Sequence, residues 1–350
     1  MTIPERTLLR RLFTAQDLTS MAPAAKVVVY ALLLSWLMVV LFPLYWLFIT
    51  SFKLPVHVND GPDFLPFIDF KPSGHAWRYI FVELGNDTLR PYLSSVIVAS
   101  CSTVLCVLIG AFAAYALVRI QYRVKVGNVA AFLLFLAGTV YVIVNLGAPW
   151  PVAAAVASVL FVLFATSVGR SFQRSLGNDD ILFWIISNRI LPPVVVVLPV
   201  YLMFQRLGLL DTHVALIATY TAINLPIVVW LMRDFFAGIP VDLEESAQID
   251  GASRFRIFFT IVLPLGRPGL AATSLLILIL AWNEYLLALF ISTADAQTMP
   301  MLVAAQNATR GPQWWYMSVL IVIMIAPIVL TAAMLQRHIA RGLMVGAIKG

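Results

Sequence analysis

From Val27 to Thr50 the chain runs for 24 residues without one charged side chain. About 20 apolar residues in a helix cross the ~30 Å hydrocarbon core of a bilayer. Backbone N–H and C=O groups in lipid must be satisfied within the segment, which leaves the helix as the form such a run can take. Similar runs occupy residues 92–118, 128–145, 150–168, 181–204, 214–236, 271–291 and 317–335. The expected fold is therefore an all-α, polytopic membrane protein of about eight spans. Hydrophobic residues make up 61% of the 350 and charged ones 11%, less than half the ~25% charge of an ordinary soluble domain. A cleaved signal peptide has a shorter apolar region, so the first run is read as a retained helix. The organisation expected is an arm over residues 1–26, a transmembrane domain over 27–336 and a tail over 337–350.

Eight crossings put both ends on one side. Lysine and arginine gather on the cytoplasmic side of membrane proteins. With the N-terminus in the cytoplasm, 17 of the 23 Lys and Arg fall in cytoplasmic segments or at their edges, all but Lys53, Lys71, Arg78, Arg90, Arg206 and Arg310. The net charge of +6 is thus accounted for by topology, and no nucleic-acid partner is expected. The runs at 128–145 and 150–168 are joined by Leu146-Gly147-Ala148-Pro149, helix breakers without charge. They are expected to form a helical hairpin; a re-entrant or interfacial hairpin is the other reading, since each run is near the minimum length. Cys101 and Cys106, five apart in one apolar run, are read as small core residues rather than a disulfide.

The densest mix of charge and apolar residues lies between the sixth and seventh runs, where residues 239–270 read IPVDLEESAQIDGASRFRIFFTIVLPLGRPGL. Pro240 suits a first helical turn, and Asp242, Glu244 and Glu245 lie at the positive end of that helix's dipole. Gly251 takes the left-handed conformation that ends it. Ser253 caps a second helix holding Arg254, Phe255 and Arg256, and Pro264 and Pro268 stop that helix. The expected local form is a helix–Gly–helix elbow.

Glu245-Ser246-Ala247, Gly251 four residues on, and Ile261-Val262-Leu263-Pro264 in the same register resemble the coupling loop of ABC-importer permeases. Ser246 stands where that family usually has Ala, and is small enough to keep the packing. Asp250-Gly251-Ala252 resembles the carbohydrate-uptake branch, the second permease of maltose-type systems in particular. Ala113-Ala114-Tyr115-Ala116-Leu117, the segment from Pro199 to Thr212 and the tail ending Lys349-Gly350 are similar to the same group. The resemblance implies a six-helix permease core, to which the hairpin at 128–168 is an insertion. It further implies a subunit of a bacterial inner-membrane importer that moves a sugar, sugar derivative, polyol or glycerol phosphodiester. The implied partners are a second permease, a dimer of ATPase subunits and an extracytoplasmic solute-binding protein. Glu244, Glu245, Ser246, Ala247, Asp250, Gly251 and Pro264 would make the ATPase contact, with Glu244 or Glu245 pairing with a basic residue there. Lys349 and Gly350 would reach between the ATPases.

No catalytic constellation is visible. His57, His75, His213 and His338 lie in loops or at span ends, without metal spacing. A phosphate-binding Gly-Lys-Ser/Thr loop is absent. No enzyme and no cofactor are expected on this chain, and an ATP-driven machine would hold ATP and Mg on its partner ATPase. Polar groups inside the spans mark a solute path or helix–helix contacts: Glu284 with Asn283 in the seventh run, and Asn188 and Asn224 beside prolines. Trp314, Trp315 and Tyr316 suit an interfacial aromatic belt or a stacking surface for sugar. A stand-alone ion-coupled transporter is the rival; it would need coupling charges in its spans, where Glu284 is nearly alone.

Overall fold

The computed structural model describes residues 22–307 and 311–347, with α-helices almost throughout. Among the described residues six helices are long and apolar enough to cross a membrane, and the number rises to eight where each of two sharply bent helix pairs is counted as one span. The chain divides into two compact units, one of Met1–Leu89 with Leu302–Pro327, the other of Arg90–Met301 with Ile328–Gly350.

The first unit holds α1 (Pro23–Thr50), 28 residues long. This helix is hydrophobic all round, and its side chains stay exposed along nearly its whole length. Such a helix is stable only against lipid or another protein. Beyond it, Lys53 is 1% exposed and lies over the rings of Trp46 and Phe70, at 4.1 and 5.1 Å. Burial lowers the pKa of its ammonium, and Asp63 and Asp69 partly oppose that shift. The turns that follow pack through aromatic rings: Tyr79 stacks on Tyr316 at 4.2 Å, and His75 on Tyr316 at 5.8 Å.

The second unit is built on α2 (Gly85–Arg119), whose first residues belong to the other unit. The hairpin follows as α3 (Val126–Leu146) and α4 (Trp150–Thr166). Gly147 takes the turn between them at φ +64°, so the expected break falls where the sequence put it. Two short strands, β1 (Val124–Lys125) and β2 (Ser175–Leu176), pair antiparallel across the hairpin's base. Next come α5 (Asn178–Ser187), α6 (Pro193–Leu207) and α7 (His213–Ala237). After the elbow, α8 (Asp242–Ile249) and α9 (Arg254–Ile257) lead to α10 (Arg267–Trp282) and α11 (Leu286–Ile291). The chain then passes through α12 (Met299–Ala305) and α13 (Trp314–Ala347), each of which is shared between the two units. The hydrophobic core joins α2, α7, α9 and α10 through Cys106, Ala114, Val228, Met232, Phe236, Ile257, Phe258 and Ile277.

Several spans differ from the sequence expectation. Residues 181–204 were expected as one span, with Asn188 beside its prolines; there α5 and α6 meet at 89° across Leu191-Pro192. Two consecutive prolines withhold two N–H groups, which a straight helix does not tolerate. Residues 271–291 were also expected as one helix, but α10 stops at Trp282 and α11 starts at Leu286. By contrast, α7 continues through Pro226 without a break. There Arg189 Nη1 donates to Ile223 O at 3.2 Å, supplying a donor beside the proline. Cys101 is exposed and only Cys106 is buried, because the two positions point to different faces of α2.

The strand pair sets Lys125 opposite Ser175, so the chain leaves and re-enters the second unit at neighbouring points. The junction has its own anchor: Asn178 Nδ2 donates to Leu117 O and Ile120 O at 2.6 and 2.7 Å, and Tyr122 N donates to Asn178 Oδ1 at 2.8 Å. Replacing residues 126–174 by an Asn-Gly turn is therefore expected to leave a membrane-inserted, monodisperse chain with an unchanged thermal midpoint. Size-exclusion chromatography and a melting curve check this; aggregation of the shortened chain would show that the hairpin is part of the core.

Candidate functional site

The site begins with the local chemistry of the elbow. α8 has Asp242, Glu244 and Glu245 in its first turn. Pro240 lies two residues before the helix rather than in its first turn, since Val241 is the N-cap. The C-terminal end closes on Gly251 at φ +81°. Gly251 N donates to Gln248 O at 3.0 Å and Ala252 N to Ala247 O at 2.9 Å, the paired bonds of a Schellman motif. Ser253 then caps α9, its hydroxyl accepting from Arg256 N.

The second arm departs from expectation. Pro264 does not stop the helix. A π turn spans Phe258–Val262, in which Leu263 N reaches back to Phe258 O, so the bonding register has already shifted when Pro264 arrives without an N–H. The helical path then bends by 79° at Gly266, and Pro268 sits in the first turn of α10.

The two adjacent glutamates part company. Glu245 is exposed, whereas the side chain of Glu244 is 3% exposed and belongs to the molecule's own interior. Arg119 Nε donates to Glu244 Oε1 at 2.7 Å, and the Tyr115 hydroxyl donates to Glu244 Oε2 at 2.8 Å. The other edge of the guanidinium, Nη2, donates to Ile239 O at 2.8 Å and Phe236 O at 3.3 Å. Of the two glutamates put forward for a partner's basic residue, Glu244 is already paired. Ser246 is exposed and its hydroxyl donates to Asp242 O, while Ala247 packs on the core. Around the tip, Glu245, Asp250, Arg254 and Arg256 are exposed together with Ile249 at 87% and Phe255 at 71%. Apolar groups presented to solvent among charges are the character of a docking surface.

This arrangement is matched by a known family. Residues 23–345 match the family described as the binding-protein-dependent transport system inner membrane component. The chain belongs to that family. It is 30% identical over 317 residues to the trehalose/maltose transport system permease protein of Thermococcus litoralis, covering 89% of this chain and 92% of the relative. It is 27% identical over 315 residues to a diacetylchitobiose uptake system permease protein of Streptomyces coelicolor, covering 89% and 85% of the two chains. A solved bacterial ABC transporter involved in the import of the acidic polysaccharide alginate shares the fold, with a TM-score of 0.57 and 19% identity over 92% of this chain and 99% of that one. The elbow residues thus pointed to the right family, and the chain is a multi-pass transport permease.

Elsewhere in the permease, the polar residues set down as a solute path are not gathered together. Asn188 is exposed beside the α5–α6 break, with Nδ2 donating to Trp184 O. Asn224 is 2% exposed; its Nδ2 donates to Tyr220 O, and its Oδ1 has no partner among the described residues. Glu284 does not lie within a helix. It falls in the break between α10 and α11, where Oε1 accepts from Leu287 N at 3.0 Å and its carbonyl accepts from the Tyr220 hydroxyl. Asn283 Nδ2 donates to Ile279 O at the end of α10. Lys349 and Gly350 lie outside the described residues.

Sequence reasoning missed two features. Arg119 entered only in the count of cytoplasmic cations, though Tyr115 and Arg119 share a helix face at the end of an apolar span. Asp211 was read only as part of a family-like segment. It sits in the left-handed region at φ +59°, and its carboxylate accepts from the backbone N–H groups of Thr293, Ala294, Asp295 and Ala296 and from the Thr293 hydroxyl. Partial burial raises its pKa, but these donors outweigh burial and hold the carboxyl well below the usual range.

Proposed function

We propose that this chain is one of two different permease subunits of a bacterial ABC importer. It carries a sugar or sugar-like solute, and an extracytoplasmic binding protein delivers that solute. ATP and Mg are held and hydrolysed by a separate ATPase dimer, and this chain holds no cofactor. Both termini and the elbow face the cytoplasm, where the elbow seats in a cleft of the ATPase and Glu245 pairs with a basic residue. The observation that carries this reading is the exposed tip of the elbow, with Ile249 and Phe255 bare among Glu245, Asp250, Arg254 and Arg256. Apolar residues on a charged cytoplasmic loop are costly to leave in water unless a partner covers them.

The sugar-like solute is supported by the relatives, a trehalose/maltose permease and a diacetylchitobiose permease. An ion-coupled transporter is less well supported, since the chain belongs to a binding-protein-dependent transport family. The test is to capture the tagged chain in mild detergent, identify what accompanies it by mass spectrometry, and assay the eluate for ATP hydrolysis. A second permease and an ATP-hydrolysing subunit are expected. A pure, ATP-inactive chain that still transports in liposomes would overturn the proposal.

A further inference from the structure

We propose that Arg119 is a positioning residue of the coupling loop, locking α8, the end of α2 and the end of α7 into one rigid body. A push on the exposed face of α8 then reaches both long helices undiminished. The inference rests on the transport reading above, because it supplies the push.

The argument is geometric. A guanidinium is planar and its donors point in fixed directions. In this structure Nε is directed at the Glu244 carboxylate of α8, and Nη2 at the carbonyls of Phe236 and Ile239 at the end of α7. Turning α8 about its axis would break one set of bonds or the other. Tyr115, one turn earlier on α2, holds the second oxygen of the same carboxylate at 2.8 Å, so Glu244 is fixed at both oxygens. The two charged side chains are only 12% and 3% exposed, so water does not replace these bonds when they part.

A buried ion pair of this kind is a weak device for stability, because two well-packed apolar residues serve as well or better. What it supplies that apolar packing does not is a single allowed orientation. The body extends further, since Asn178 ties the end of α2 to the start of α5, and Arg233 of α7 pairs with Asp179 at 2.7 Å. The elbow is therefore joined to the two long helices α2 and α7 by directional polar contacts, and through them to the short α5.

The test uses spin labels at Leu243 on α8, away from the tip, and Leu108 on α2, both exposed, in a Cys101→Ser, Cys106→Ala background. Pulsed EPR distances are read on the purified chain, and on its complex with the ATPase with and without trapped ATP. In the otherwise unmodified chain one narrow distance is expected, the same in both nucleotide states. Arg119→Leu is expected to broaden the distribution roughly two-fold in the isolated chain, with Arg119→Lys between the two because an ammonium cannot serve both edges.

The pair Arg119→Leu, Glu244→Leu removes the unpaired buried charge that each single change leaves. It is expected to restore the thermal midpoint while the distance stays broad. A double variant that recovers both would reduce the pair to a structural contact and overturn the proposal. So would a distance in the unmodified complex that shifts when ATP is trapped. Failure of the ATPase to bind the unmodified chain would count against the transport reading alone, since the width measured on the isolated chain still decides whether the joint is rigid.

Discussion

Replacing Gly251 with proline is expected to abolish solute uptake while leaving the chain in the membrane in wild-type amount. Two independent physical effects converge there. Gly251 sits at φ +81°, and proline is held near −65°. Proline would also remove the N–H that closes the Schellman turn onto Gln248 O. The chain would then leave α8 in another direction, and Arg254, Phe255 and Arg256 would no longer stand beside Glu245 and Asp250. Nothing lies within 4 Å of the position a Cβ would take at Gly251, so a methyl group there meets no neighbour in the rest of the fold.

Gly251→Ala separates the two effects. It keeps the N–H and adds only the left-handed backbone strain of about 1–2 kcal/mol, so reduced but measurable uptake is expected. Uptake in cells carrying each variant, with the amount of chain read by immunoblot of the membrane fraction, checks both. Normal uptake by the proline variant would remove the elbow from the mechanism.

Asp211→Asn is expected to release the segment at 293–296 and lower the thermal midpoint. Four backbone N–H groups converge on the two carboxylate oxygens, at 2.9 to 3.2 Å. The Asn amide keeps one oxygen and turns an NH₂ toward donors that need an acceptor. Asn tolerates the left-handed backbone nearly as well as Asp, so the loss reports the carboxylate rather than strain. Losing a charge-assisted acceptor at a partly buried site costs about 2 kcal/mol. Limited proteolysis is expected to cut at 293–296 in the variant first, and an unchanged digestion pattern would show that the clasp does not hold the segment.

The same carboxylate fixes the pH dependence. Its folded pKa lies below the unfolded value of about 3.9, so its contribution is complete above that value. The contribution is lost as pH falls through the folded pKa. The clasp therefore stays intact at neutral and mildly acidic pH.

The outcome of the sequence reading follows the range of the forces involved. Gly251, Ser253 and Gly147 act within a few residues of themselves, so the elbow and the hairpin turn were legible in the chain. Proline was legible as a disturbance but not in its consequence. Pro192-Pro193 produces an 89° bend, Pro226 is carried within a continuous helix, and Pro264 is met by a π turn. The difference lies with what packs against each, as with Arg189 beside Ile223 O. Glu284 was assigned to a span by hydropathy, yet its carboxylate bonds the first turn of α11 in a break that an averaged apolar run conceals.

The sequence by itself determined that the chain spans a membrane as helices, that it carries an elbow between two spans, and which family it belongs to. Long uncharged runs admit no other backbone form in lipid, and the elbow's turn chemistry is local. Only the tertiary structure decided which of two neighbouring glutamates faces outward. Glu244 and Arg119 stand 125 residues apart. Adjacent positions on a helix face different directions, and the side that is buried is set by where α2 passes, which no local pattern in α8 records.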